Sequence, residues 1–187
     1  MKNRAVFLDR DGTINIDTNY VKNEEELILY PFAAKAIKML NNAGYLVIIV
    51  TNQSGISRGY LNHDTLSKIH EKLEKELYRE EKAKIDKIYY CPSHPDENSR
   101  RRKPAPGMIE EAQKDFNINL NQSFIIGDKI SDIELGINTG IKPILVLTGK
   151  GKEEYQKLKN KRYLGKVETS DNILKAVKYI LQIKNNT

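Results

Sequence analysis

Two aspartates separated by one residue follow the first apolar run of the chain. Asp9 and Asp11 come after Ala5–Leu8, and alternation along an extended chain would place both side chains on one side. Two carboxylates this close destabilise each other unless a cation lies between them or one is protonated. The pair therefore indicates a metal ion, a proton or both at the carboxyl end of a strand. The alternative is an ordinary Asp-Gly turn, because Gly12 follows at once.

Further polar groups of the same kind follow later in the chain. Thr51 comes after the apolar residues 45–50, Asp128 comes after residues 123–126, and Lys103 lies in a polar segment between them. A hydroxyl and an ammonium can bind an anion, and a carboxylate can bind a metal ion. Taken singly, Thr51 could cap a turn, Asp128 could be an Asx-turn residue and Lys103 could be a solvated cation.

Strand-like and helix-like patterns alternate along the chain and must position these groups. Apolar runs predict strands at residues 5–8, 45–50, 85–90, 123–126 and 142–147. Amphipathic segments predict helices at residues 31–43, 63–83, 107–116, 131–138 and 171–183, the last capped by Ser170 or Asp171. The alternation predicts a Rossmann-like α/β fold, a doubly wound parallel sheet, as a single domain over residues 1–187. Ligands of such sheets bind beyond the carboxyl ends of the strands, so the polar groups converge if their strands are neighbours.

The composition fits a globular cytoplasmic protein. Hydrophobic residues make up 39% of the chain and charged residues 30%. The longest apolar run, residues 46–50, is too short to span a bilayer, and the N-terminal residues lack the apolar core of a signal peptide. Cys91 is the single cysteine, which excludes an intrachain disulfide and fits a reducing compartment. We expect a monomer with no membrane partner.

The formal net charge of +6 has two interpretations. It could serve an anionic partner, such as a phosphorylated metabolite or a nucleic acid, or it could reflect a lysine-rich solvated surface. The sequence does not interleave aromatic and basic residues in the manner that stacks bases. We therefore expect no nucleic-acid partner.

The order of the polar motifs resembles the four-motif pattern of the haloacid dehalogenase superfamily of phosphotransferases. The matching stretches are Asp9-Arg10-Asp11-Gly12-Thr13, Thr51-Asn52, Lys103-Pro104 and Gly127-Asp128 with Ser131-Asp132. The resemblance implies a superfamily-type fold in which Asp9 is the nucleophile, forming an aspartyl phosphate, and Asp11 is the general acid and base. It implies that Mg²⁺ is held by Asp9, the backbone carbonyl of Asp11 and Asp128, and that Thr51 and Lys103 bind phosphoryl oxygens. Asp132 is expected to cap or orient rather than to bind the metal.

Longer stretches resemble the D-glycero-D-manno-heptose 1,7-bisphosphate 7-phosphatase subfamily. They are residues 9–15, 20–21, 51–59, 89–92, 102–108 and 127–129. The resemblance implies Mg²⁺-dependent hydrolysis of the 7-phosphate of a small sugar bisphosphate, for nucleotide-heptose and lipopolysaccharide precursor synthesis. It implies no large cap domain, only a flap at residues 14–29 and a loop at residues 91–106. It also implies substrate contacts by Asp17, Thr18, Asn19, Tyr20, Asn52, Gln53, Ser54, Arg102 and Lys129.

The chain departs from the subfamily in the loop after the third strand. Many members hold zinc there with a Cys-x-His and a later Cys-x-Cys motif. Here Cys91 occupies the first position, Ser93 replaces the histidine, and no later cysteine exists. His94 could still ligate a metal, but two ligands do not make a structural zinc site. We therefore predict that the protein binds no zinc.

Three alternative functions remain open at the level of sequence. Histidinol-phosphate phosphatases are close relatives of the subfamily. A polynucleotide 3′-phosphatase would use the basic charge and would bind DNA with a steep salt dependence. A non-catalytic phospho-acceptor module would also present an aspartate at a strand end, but it would not need a second carboxylate placed as Asp11 is.

Overall fold

Six parallel strands form one sheet in the computed structural model of this chain, which describes residues 2–185. The strands are β1 Ala5–Leu8, β2 Leu46–Asn52, β3 Lys87–Cys91, β4 Phe124–Gly127, β5 Lys142–Val146 and β6 Glu168–Ser170. Their order across the sheet is β3-β2-β1-β4-β5-β6. The chain therefore changes direction across the sheet between β1 and β4, and ligands of such sheets bind at this point.

Helices cover both faces of the sheet. They are α1 Ala33–Asn42, α2 His63–Glu81, α3 Gly107–Phe116, α4 Ile130–Thr139, α5 Gly151–Leu158 and α6 Ile173–Asn185. One apolar core joins α1, α2 and α6 to the sheet, and a second joins α3 and α4 to its other face. A third, smaller core packs α5 through Leu158 against α4 and β5. The predicted doubly wound α/β fold is thus confirmed.

The central strand β1 is buried on both faces. Val6 and Leu8 lie in the core with α1 and α2, whereas Ala5 and Phe7 lie in the core with α3 and α4. This alternation is the period of two expected of a strand, and it explains why the run is continuously apolar. Burial of the Phe7 and Leu8 side chains contributes about 1.5–3 kcal/mol each. The end of β1, where Asp9 follows, is consequently a rigid point of the fold.

The structure adds two elements and moves one cap relative to the sequence prediction. Helix α5 was not predicted because its sequence is mostly charged, and β6 was not predicted because it is a three-residue edge strand. The prediction that Ser170 or Asp171 caps the last helix was wrong. Asn172 is the cap, because its Oδ1 accepts a hydrogen bond from the backbone N–H of Lys175 at 3.1 Å.

Two irregular segments lie beyond the carboxyl ends of the strands. In the flap, the backbone N–H of Ile16 donates to the carbonyl of Ile28 at 2.9 Å, and Leu27 is buried in the core. The loop after β3 contains one short 3₁₀ helix, Pro95–Glu97. Residues 2–185 contain no large cap domain, as the sequence predicted, and none of their helices is long and apolar enough to cross a membrane.

Candidate active site

A cavity of about 330 Å³ opens beyond the carboxyl ends of β1, β2 and β4. The predicted site residues that line it are Asp9, Asp11, Asp17, Asn19, Tyr20, Thr51, Asn52, Gln53, Ser54, Arg102, Lys103 and Lys129. These residues come from segments up to 120 positions apart, and they meet because β1 lies between β2 and β4. The expected convergence is therefore confirmed.

Asp9 lies at the floor of the cavity and is ionised. Its backbone N–H donates to the carbonyl of Ile126 at 2.9 Å, which extends the pairing of β1 with β4. Its Oδ1 lies 2.9 Å from the ammonium nitrogen of Lys103 and accepts the backbone N–H of Arg10 at 2.8 Å. Burial would raise the pKa of Asp9, but the charges of Lys103 and Lys129 outweigh it and lower the pKa to about 2. The carboxylate is thus in the form that a nucleophile needs.

Lys103 is a buried cation at the cavity rather than one more solvated lysine. Its ammonium pairs with Asp9 and Asp132 and donates to the carbonyl of Val50 at 2.8 Å. Its backbone N–H donates to Oδ1 of Asn52 at 3.1 Å, and the Asn52 amide donates back to the Lys103 carbonyl at 3.3 Å. Burial would lower the pKa of Lys103, but Asp132 and Asp9 raise it overall, so the ammonium stays charged.

The residues around Asp128 fit a magnesium ion. Asp128 is completely buried, and its Oδ1 accepts no hydrogen bond. The ammonium nitrogen of Lys129 lies 3.3 Å from this Oδ1, 3.3 Å from the backbone carbonyl of Asp11 and 3.6 Å from Oδ2 of Asp9. Three oxygens, two of them from carboxylates, thus surround the ammonium of Lys129. Hard oxygen ligands of this kind are those that Mg²⁺ prefers.

Asp132 lies next to the carboxylates of Asp9 and Asp128. Carboxylate oxygens of Asp9, Asp128 and Asp132 lie within 4.8 Å of one another. One oxygen of Asp132 pairs with Lys103, and the other accepts the backbone N–H of Lys129 at 3.2 Å at the start of α4. Asp132 therefore caps and orients, which agrees with its interpretation from sequence.

The ionised form of the Asp128 carboxylate needs a nearby cation, because the side chain is buried. Burial raises the pKa of Asp128 to about 7, with Asp9 and Asp132 acting in the same direction and Lys129 opposing them. A bound divalent ion would favour the ionised form. Gly12 permits this packing because it adopts a φ of +85°, and a Cβ atom there would lie 2.1 Å from Oδ2 of Asp128.

Most of the remaining residues that were predicted to contact the substrate line the cavity, but one does not. Oδ2 of Asp17 lies 3.5 Å from the ammonium of Lys129, and a guanidinium N–H of Arg102 donates to the carbonyl of Ser93 at 3.0 Å. Thr18 is exposed and does not line the cavity. The amide of Gln53 donates to Thr51 and to Asp11 at 2.9 Å, so it holds other site residues.

Sequence reasoning missed two residues that line the cavity, Ser131 and Lys150. Ser131 is the second residue of α4, just after the Asp128-Lys129 pair. Lys150 lies in a Gly-Lys-Gly sequence, and its backbone N–H donates to Oδ2 of Asp128 at 2.8 Å. The two flanking glycines were the available signal, because glycine allows a backbone to approach a buried group closely.

Asp9, Lys103 and the three carboxylates that could hold a metal ion lie together beyond the strand ends of a doubly wound sheet, which is the arrangement of the haloacid dehalogenase type. A family model described as "HAD-hyrolase-like" matches residues 100–169. These residues include Lys103, Asp128 and Asp132.

Comparisons over most of the chain identify the family within this superfamily. The chain is 41% identical over 157 residues to the D-glycero-beta-D-manno-heptose-1,7-bisphosphate 7-phosphatase of Haemophilus ducreyi, covering 80% of this chain and 86% of that relative. It is 42% identical over 154 residues to the D-glycero-alpha-D-manno-heptose-1,7-bisphosphate 7-phosphatase of Burkholderia mallei, and the match covers 79% of this chain and 81% of that relative. A crystal structure of the D,D-heptose 1.7-bisphosphate phosphatase from B. bronchiseptica, complexed with magnesium and phosphate, matches with a TM-score of 0.89 and 30% identity over 96% of this chain and 99% of that one. The chain belongs to the D-glycero-D-manno-heptose 1,7-bisphosphate 7-phosphatase family of the haloacid dehalogenase superfamily.

Proposed function

We propose that this protein hydrolyses the 7-phosphate of D-glycero-D-manno-heptose 1,7-bisphosphate in nucleotide-heptose and lipopolysaccharide precursor synthesis. The observation that carries the proposal is the ionised, lysine-bound carboxylate of Asp9, which faces the cavity beside a position suited to Mg²⁺. The names of the similar proteins supply the substrate, and they favour the heptose over histidinol phosphate.

The geometry supports a two-step reaction. Asp9 attacks the phosphorus atom and the bond to the sugar oxygen breaks, while a protonated Asp11 gives its proton to that oxygen. Water then attacks the aspartyl phosphate and loses a proton to Asp11; inorganic phosphate leaves, the Asp9 carboxylate is restored and Asp11 is again protonated. The ammonium of Lys103 and the hydroxyl of Thr51 hold phosphoryl oxygens at the cavity floor. Mg²⁺, when bound by Asp9, Asp128 and the Asp11 carbonyl, supplies positive charge against the phosphoryl group.

The second phosphate of the substrate is assigned to Arg102. Arg102 lines the main cavity and also a neighbouring groove formed by the loop after β3. A guanidinium can bind a phosphate with two parallel hydrogen bonds, which gives such a site both affinity and orientation. Around the sugar, the proposed contacts are Asp17, Asn19, Tyr20, Asn52, Ser54 and Lys129, while Gln53 acts through its neighbours.

Comparison of substrates tests this assignment. We expect kcat/KM for heptose 1,7-bisphosphate, assayed as both anomers, to exceed that for histidinol phosphate by about 100-fold, because a charge-assisted hydrogen-bond pair contributes about 3 kcal/mol. Arg102→Ala should lower kcat/KM for the bisphosphate by a similar factor and change that for histidinol phosphate little. A higher kcat/KM for histidinol phosphate, or for a 3′-phosphorylated oligonucleotide, would contradict the proposal.

We propose that the loop after β3 is held without zinc. Cys91 is completely buried, and its Sγ lies 3.6 Å from the hydroxyl of Ser99. The side chain of Glu97 accepts the backbone N–H of His94 at 2.7 Å, and Arg100 forms a bidentate pair with Glu110. Hydrogen bonds and an ion pair thus link residues of this loop to one another and to α3, which supports the proposal.

The zinc content of the purified protein checks this prediction. Elemental analysis should find far less than one zinc per chain, and a zinc-selective chelator should leave the melting temperature and the Mg²⁺-supported activity unchanged. A Cys91→Ser variant serves as the matched control, because it removes the last thiol without touching the ion pairs. Stoichiometric zinc that disappears in this variant would refute the prediction.

The remaining expectations from sequence are retained as proposals. A single domain over residues 1–187 acts as a monomer in the cytoplasm, without nucleic-acid or membrane partners, and binds a small phosphorylated sugar. The one cysteine, which is free and buried, accords with a reducing compartment. Sedimentation of the full chain at micromolar concentration tests the monomer directly.

A further inference from the structure

We propose that Arg10 and His70 are positioning residues that hold Asp11 for proton transfer, acting with the amide of Gln53. The proposal rests on the proposed function, since it assigns a role to groups around the general acid and base. Neither Arg10 nor His70 lines the cavity, so both act through Asp11 rather than on the substrate.

Arg10 is the largest completely buried side chain in the described part of the chain. Removing a guanidinium from water is costly unless a carboxylate and several acceptors replace the solvent. The carboxylate is that of Asp11: Nη2 of Arg10 lies 2.8 Å from Oδ2, and Nε lies 3.1 Å from Oδ1. The side chain of Arg10, which lies between the two catalytic aspartates in sequence, therefore binds Asp11.

The other side of the Asp11 carboxylate is held by two amides. The Asn15 amide donates to Oδ1 at 2.9 Å, and the Gln53 amide donates to Oδ2 at 2.9 Å. With the Arg10 fork, each oxygen accepts at least two hydrogen bonds, so the carboxylate group is held in one orientation. Burial would raise the pKa of Asp11, but the charge of Arg10 and these amides outweigh it and lower the pKa, so a protonated Asp11 gives up its proton readily. Proton transfer depends steeply on such alignment, because misplacement of a reacting group by about 1 Å can lower the rate about 100-fold.

His70 completes the arrangement from helix α2. Its Nε2 lies 3.3 Å from Nη1 of Arg10, and because a guanidinium only donates, the imidazole nitrogen must accept. Burial, together with the charge of Arg10, lowers the pKa of His70 to about 3, which keeps that nitrogen free of a proton. Arg10 thus has acceptors on both ends of its fork: Asp11 on one end, and His70 on the other. A helix that contributes no residue to the cavity lining is in this way connected to the proton-transfer group.

A merely structural role for these residues is the competing explanation, and the leaving group separates the two. An alkoxide is a poor leaving group and needs a general acid, whereas 4-nitrophenolate leaves without one. The value of kcat/KM reports the first phosphoryl transfer, before Asp11 acts as a base. Misalignment of Asp11 should therefore lower kcat/KM for an alkyl phosphate and leave kcat/KM for 4-nitrophenyl phosphate nearly unchanged.

His70→Leu, which keeps bulk but removes the acceptor, is the test variant. We expect kcat/KM for heptose 1,7-bisphosphate to fall about 10- to 100-fold and that for 4-nitrophenyl phosphate to fall less than about 2-fold. His70→Gln, which restores an acceptor, should recover most of the loss. His63→Leu is the matched control. His63 lies on the same helix and, like His70, packs against the Tyr90 ring, but its hydrogen bond is to Tyr90 rather than to Arg10, so its loss should change neither value.

Equal losses on both substrates, or faster hydrolysis of the alkyl phosphate, would overturn the proposal. Arg10→Lys, which keeps the charge and loses the fork, is evaluated by the same ratio if His70→Leu does not fold. If the wild-type protein hydrolyses other alkyl phosphates but not the heptose, only the proposed substrate is contradicted. The kcat/KM for the alkyl phosphate that is hydrolysed is then compared with that for 4-nitrophenyl phosphate, and the test of Arg10 and His70 still holds.

Discussion

Asp9→Asn is expected to lower kcat for heptose 1,7-bisphosphate by a factor of about 10⁴ or more. The amide cannot form the aspartyl phosphate, and removal of a catalytic nucleophile typically costs factors of this size. The substitution keeps the shape of a side chain that is only 3% exposed, and Lys103 keeps its ion pair with Asp132, so we expect the fold to be retained. Steady-state kinetics gives the factor, and mass spectrometry of acid-quenched wild-type protein should locate a phosphoryl group on Asp9.

The control for this variant is Asp64→Asn. Asp64 is an exposed carboxylate in the first turn of α2, away from the cavity. Its loss should leave kcat and KM unchanged and should slightly weaken the helix, because an acidic residue there interacts favourably with the helix dipole. If Asp9→Asn kept more than about a tenth of wild-type turnover, Asp9 would not be the nucleophile, and the mechanism derived above would fail.

The sequence allowed prediction of those site residues whose positions follow from the ends of strands. Asp9, Thr51 and Asp128 each come at the end of a buried apolar run, and parallel neighbours bring such ends together. The resemblance to a family ordered these groups into roles. The structure then showed that the strands are neighbours, which no local pattern could establish.

Lys103 shows where local pattern stops being informative. In sequence it ends a run of four cations, which favours a solvated residue. In the structure it is 4% exposed, because Asn52, from a strand end 51 residues earlier, forms two hydrogen bonds with its backbone and draws it inward. Burial of this kind depends on long-range contacts, so only the family resemblance identified the residue.

Other differences have similar physical causes. The imidazole of His70 could be read only as one more residue on a helix face, since its partner Arg10 is 60 positions away. Gln53 was assigned to the substrate and lines the cavity, but no local pattern indicated that its amide also bonds to Thr51 and Asp11. The exposed Thr18 was assigned to the substrate together with Asp17, Asn19 and Tyr20, which line the cavity, whereas Thr18 does not.

Lys103→Met is expected to lower the free energy of unfolding by about 3–5 kcal/mol. The substitution leaves the carboxylates of Asp9 and Asp132 buried without their shared cation, and uncompensated buried charges have a cost of this size. Turnover should fall as well, because the phosphoryl group loses its ammonium. Urea denaturation at constant pH, without substrate, measures the first effect, and steady-state kinetics measures the second.

The double variant Lys103→Met/Asp132→Asn separates stability from catalysis. Removal of the Asp132 charge should restore a large part of the lost unfolding free energy, since one fewer carboxylate is then left unpaired in the interior. It should restore no turnover, because Asp9 and the phosphoryl group still lack the ammonium. Lys75→Met, which breaks an exposed pair with Glu71, should change the unfolding free energy by less than about 1 kcal/mol. If Lys103→Met were as stable as Lys75→Met, the buried cation would not hold the site together, and the ionised state of Asp9 would need another cause.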